Sequence, residues 1–113
     1  MRWIAKADCL VEDVVLEWEF DAPDGLTAEQ EAYRRARESS VADSGSVYVV
    51  PSENQPDGEK CYMVSGCGKF GSQYYYADTL EEAREVYDDM RNYYELVEIA
   101  YGWPGHWEDV EVA

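Results

Sequence analysis

Between positions 79 and 95 the apolar residues Leu80, Ala83, Val86, Tyr87, Met90 and Tyr94 share one arc at about 100° per residue. Glu81, Glu85, Asp88, Asp89, Asn92 and Glu95 share the opposite arc, so the pattern predicts a helix with one core face and one carboxylate face. Thr79 followed by Glu82 reads as its capping box, and the early glutamates suit the positive end of the helix dipole. Arg84 and Arg91 lie between the faces, four residues before Asp88 and Glu95. A second helix is predicted over 27–39, opened by Thr27 with Gln30 and packed through Ala28, Ala32, Tyr33 and Ala36. Its small face can approach a sheet closely but buries little area.

The remaining pattern alternates with a period of two. Val14, Leu16, Trp18 and Phe20 oppose Glu17, Glu19 and Asp21, and upstream Trp3, Ala5, Ala7 and Cys9 oppose Arg2, Lys6 and Asp8. Glu12-Asp13 stands between these strands as their turn, and Pro23-Asp24-Gly25 is the next turn. Short strands follow at 47–50, stopped by Pro51, and at 60–65 and 72–77; the last leads straight into the acidic helix. Val97, Ile99 and Tyr101 alternate with Glu98 and Ala100, a turn falls at Gly102-Trp103-Pro104-Gly105, and residues 107–112 return as an edge strand guarded by Glu108, Asp109 and Glu111. The expectation is one α+β domain over 1–113: a mainly antiparallel sheet, read as a meander, with two helices packed on one face. No repeat period shows in the sequence.

Charge changes the picture more than size does. Among 113 residues there are 25 acids and 9 bases, a formal charge of −16, and from Asp78 onward eleven acids face two arginines. With 46% apolar residues and ten tyrosines the chain is too apolar for a disordered acidic tail. Such a surface repels nucleic acid and anionic membranes and steers toward a basic protein. Cys9, Cys61 and Cys67 are odd in number and lack paired metal-ligand spacing, and the start shows no signal peptide; reduced thiols in a cytoplasmic protein are expected.

The chemical motifs are weaker than the charge. Residues 66–71 match G-x-G-x-x-G, but a tyrosine strand follows where a dinucleotide site needs a helix N-terminus. They are therefore read as a hairpin turn with glycines at positive φ, and no cofactor is expected. Cys67 with His106 lacks a third, orienting group, so no catalytic residues are assigned. Glu81, Glu85, Asp88 and Asp89 lack calcium-loop spacing, so no metal site is assigned. Of the aromatics, Trp18, Tyr74, Tyr76, Tyr87 and Tyr94 are assigned to the core, and Tyr75, Tyr93, Trp103 and Trp107 to the surface, where rings amid charge make good interface anchors.

A small, tyrosine-rich chain with carboxylates along one helix and several strands resembles the phage-type anti-restriction and anti-CRISPR inhibitors that mimic DNA. The resemblance is one of size and composition across the chain, carried by no single motif, and those inhibitors share no single fold. It implies a non-enzymatic inhibitor seated in the basic nucleic-acid channel of a host defence nuclease. Glu81, Glu85, Asp88, Asp89 and Glu95 would stand in for phosphates, with Tyr93, Trp103 and Trp107 as anchors. Two other readings stay open: an immunity protein, antitoxin or adaptor, and a halophile protein whose acidity reflects habitat, which three lysines against six arginines also fit.

Overall fold

A computed structural model describes residues 1–69, 71–103 and 105–111. Phe70 of the glycine turn, Pro104 of the next turn and Val112 at the end of the expected edge strand lie outside the described residues. The chain runs β1 (Arg2–Asp8), β2 (Val15–Asp21), α1 (Gly25–Glu38), β3 (Tyr48–Pro51), β4 (Cys61–Gly68), β5 (Gly71–Ala77), α2 (Leu80–Met90), β6 (Leu96–Trp103) and β7 (His106–Val110). The seven strands form one sheet in the order β2-β1-β3-β5-β4-β6-β7.

The pairing is antiparallel except at one seam, where β3 runs parallel to β5 through Tyr48↔Ser72 and Val49↔Gln73. The expected meander through β3, β4 and β5 is therefore corrected. β4 lies on the far side of β5, paired with β5 and β6, and β3 pairs directly with β5. The parallel pair needs a long crossover, and β4 with its two connections supplies one. Around the seam the architecture repeats. β1 pairs with β2 and β3, as β4 pairs with β5 and β6, and each half places a helix between its second and third strands. Two ββαβ units thus stand in tandem. Their sequences share no period because the topology asks only for alternation and a helix face, which different residues supply.

Each helix covers its own cluster. Ala28, Ala32 and Ala36 of α1 are buried with Trp3, Ala5, Ala7, Phe20 and Val49, and the alanine face lets helix and sheet lie close. Ala83 and Met90 of α2 are buried with Val64, Ala77, Val97 and Ile99. α1 begins at Gly25, two residues before the expected start, because Asp24 caps it: its carboxylate accepts from the Thr27 amide at 2.7 Å. α2 begins as expected, with the Thr79 hydroxyl accepting from the Glu82 amide at 3.2 Å. It ends at Met90, five residues before the expected stop. The amides of Tyr93 and Tyr94 both donate to the Met90 carbonyl, and this tightened turn swings Tyr94 into the core.

Candidate functional site

The carboxylates singled out in the sequence fall on two elements. Glu81, Glu85, Asp88 and Asp89 are exposed on α2, and Glu95 is exposed in the link to β6 rather than on the helix. Ion pairs neutralise acids elsewhere: Arg2 meets Glu19 and Asp21, Lys6 meets Glu17, and Arg34 and Arg35 gather around Glu31 and Glu38. Among the described residues, Glu81, Glu85, Asp88 and Glu95 make no ion pair, and Arg91 lies over the Tyr87 ring at 5.5 Å. Among the described residues the acidic stripe of α2 is therefore without ion pairs.

The three expected anchors do not gather beside it. Tyr93, 39% exposed, follows α2 and donates to Asp89 at 2.7 Å. Partial burial first, and this bond next, push its phenol up to about 12. Trp103, 38% exposed, ends β6, about 23 Å from Leu96 at ~3.3 Å per residue, with the Lys60 ammonium 4.9 Å from its ring. Trp107 is half-buried. It pairs with Gly102 in register, so it points to the opposite side of the hairpin from Trp103, and it stacks on Tyr76 at 6.0 Å.

The tyrosine strand departs furthest from expectation. Gln73 and Ala77 are buried, Gln73 beside Gly25 of α1 and Ala77 in the cluster with Ala83. Tyr75 is in phase with them, and its hydroxyl donates to Glu82 of α2 at 3.3 Å. Tyr74 and Tyr76 therefore project from the other side of the strand and are half-buried rather than core residues. Tyr48 joins Tyr74, ring centroids 4.7 Å apart; burial pushes both phenols up, and pushes that of Tyr76 up to about 12. Three consecutive tyrosines fit either phase of a strand, and only the burial of Gln73 and Ala77 decides between them.

β4 and β5 pair as the expected hairpin, with Gly68 opposite Gly71. Of its three glycines, Gly71 has positive φ, at 135°. Gly66 and Gly68 instead make room for Tyr94: a Cβ at Gly66 would stand 2.7 Å from its ring, and one at Gly68 3.2 Å. Cys67 pairs with Leu96 at the start of β6 and Trp103 pairs with His106 at its end, so the length of that strand separates thiol and imidazole. Cys9, Cys61 and Cys67 are free thiols, and among the described residues no three His, Cys, Asp or Glu side chains cluster to hold a metal ion. No described helix is long and apolar enough to cross a membrane.

Sequence reading also missed a buried polar knot. Glu29 of α1 is 2% exposed and lies near Gly68 and the Tyr94 phenol, whose hydroxyl donates to Gln73. Burial first, then the Glu29 charge, hold that phenol far above its ordinary pKa. The only trace of the knot in the sequence is Glu29 beside Ala28, on the face that Ala28, Ala32 and Ala36 define. Compared with known proteins, the chain matches no family model, no curated protein and no solved structure.

Proposed function

We propose that this protein is a non-enzymatic inhibitor that occupies the basic nucleic-acid channel of a nuclease in place of DNA. The observation that carries the reading is the row Glu81, Glu85 and Asp88, without ion pairs among the described residues, on a chain of net charge −16. Successive carboxylates of the row stand about 5–6 Å apart along the axis, at ~1.5 Å per residue. A channel that reads a phosphate line meets here a comparable line of fixed charge on a rigid element. Cation-lined channels attract it over distance and lose that attraction as salt screens it.

In this reading α1 and α2 share one face of the sheet. Gln73 supports that arrangement, since its side chain sits against Gly25 at the start of α1 and accepts from Tyr94 just past α2. The helices then present their polar sides together, and Glu95 and Tyr93 extend the row beyond α2.

The test is capture of the target from the native host, followed by competition with duplex DNA on the captured nuclease. Protein and DNA are expected to exclude one another. Reversal of Glu81, Glu85 and Asp88 to lysine should weaken binding far more than reversal of Glu12, Glu53 and Glu59. A ternary complex of target, DNA and protein, or full binding by the α2 triple variant, overturns the proposal.

A further inference from the structure

The geometry points to a second docking surface, on the side of the sheet that carries Tyr48, Tyr74 and Tyr76, shaped for an arginine-rich segment of a protein partner. Register places these rings together. Tyr48 stands opposite Ser72, Ser65 opposite Tyr74 and Met63 opposite Tyr76, so a ring patch with a methionine crosses β3, β5 and β4. Trp107 extends the patch from β7: Gly102 beside it in register has no side chain, and the indole stacks on Tyr76 with 23° between planes. The helices pack through residues of the other phase, Val49, Gln73 and Ala77.

Charge complementarity selects the occupant. Asp8 borders the patch on the β2–β1 side, next to the Lys6–Glu17 pair at 3.4 Å, and after burial the charges of Glu17 and Asp8 help to raise the Tyr48 phenol. Glu98 stands opposite Ser65, and Asp109 opposite Ala100, on the other border. Phosphates of a nucleic acid are repelled by such a frame, and so is a second copy of a chain of charge −16. Guanidinium groups fit both parts of it, since they stack on ring faces and bond carboxylates in the same plane. Four of the chain's own cations lie over other rings, Arg35 over Phe20, Arg37 over Tyr33, Lys60 over Trp103 and Arg91 over Tyr87, while Lys6, opposite Tyr48 in register, is held by Glu17. An arginine supplied from outside would complete the Tyr48–Tyr74 pair in the same way. The inference rests on the reading of the protein as a binder of basic partners, but it concerns a different surface and does not need the partner to be a nuclease.

Amide-resolved NMR titration of the whole protein with capped deca-arginine and deca-lysine peptides tests it. Both peptides carry the same charge, so a preference measures guanidinium stacking and planar bonding to carboxylates rather than charge alone. Deca-arginine is expected to bind at least ~5-fold more tightly, with shifts centred on Tyr48, Tyr74, Tyr76 and Trp107. The double variant Tyr48→Leu/Tyr74→Leu keeps apolar bulk but loses two ring faces, and should bring arginine down to the lysine level. The α2 triple reversal should leave the arginine preference intact while lowering overall affinity for both peptides. Equal binding of the two peptides, or shifts centred on α2, overturns the docking surface; the wild-type map decides this even if the leucine variant fails to fold. DNA competition on the nuclease is a separate result, so either proposal can fail alone.

Discussion

The hydroxyl of Tyr94 donates to Oε1 of Gln73 at 2.8 Å, joining the turn after α2 to the middle of the sheet inside the core. Gln73 also fills the space above Gly25, so this one bond gathers the start of α1, the end of α2 and the β3–β5 seam. Tyr94→Phe keeps the ring and leaves a buried amide oxygen without its donor. The expected loss is about 1–3 kcal/mol of unfolding free energy, read as a lower urea midpoint with unchanged slope.

Gly66→Ala places a methyl group against the same ring. The new Cβ would lie 2.7 Å from Tyr94 Cδ2, and the Met90 sulfur at 3.3 Å closes the other side. Overpacking of this kind costs about 1–3 kcal/mol. Combined with Tyr94→Ala, the glycine substitution should cost much less than it does alone, because the clash and the cavity cancel; urea melts of the four-member cycle measure the coupling.

Alkaline pH should unfold the protein as its buried tyrosines are forced to ionise. Six of the ten tyrosines, Tyr48, Tyr74, Tyr75, Tyr76, Tyr93 and Tyr94, have pKa values raised in the folded state, each chiefly by burial. A raised phenol favours the folded chain while it stays neutral. That stability is complete below the unfolded value near 10 and is lost as pH climbs through the folded values, about 12 for Tyr76 and Tyr93. Absorbance at tyrosinate wavelengths should rise in two stages. The second should coincide with loss of the circular dichroism of the sheet and should not reverse in step with the first.

Salt should act in the opposite direction. At a net charge of −16, self-repulsion opposes the compact state, and the unpaired acids of α2 hold part of it. Raising sodium chloride from low to several hundred millimolar should raise the melting temperature by several degrees. Glu85→Lys should raise it at low salt and narrow the salt response, since the substitution removes repulsion without touching the core.

The sequence made the elements legible wherever alternation or helical period was long. β1, β2, α2 and β6 lie where Trp3, Trp18, Val86 and Ile99 predicted them, because each buries a regular set of side chains. The order of the strands was not legible. Nothing local in Tyr48-Val49-Val50 says that its neighbour is β5 rather than β4, since parallel and antiparallel edges ask for the same residues. Aromatic placement failed at Tyr74 and Tyr76 for a related reason: Gln73, polar in sequence, is buried through partners distant in the chain, Gly25 and Tyr94. The acidic stripe itself was read correctly as exposed at Glu81, Glu85, Asp88 and Asp89, but Tyr93, Trp103 and Trp107 are scattered by a strand and a hairpin that periodicity cannot orient.

The parallel seam has a consequence for how the molecule breathes. β3 and β5 register over two residue pairs, whereas β4 registers over seven with each neighbour. Pro51 lacks an amide hydrogen and ends β3, and the side chain of Asn54 takes over, bonding both the amide and the carbonyl of Tyr76. A side-chain amide standing in for backbone is easily released, so this end of the seam should open most readily, while Tyr94, Gln73 and Gly25 tie the two halves together in the core. Amide hydrogens of Ser72 and Tyr76 should exchange by local opening well before those of Val64 and Ile99, so the seam would loosen at its edge while both halves stay folded around the buried Tyr94–Gln73 contact.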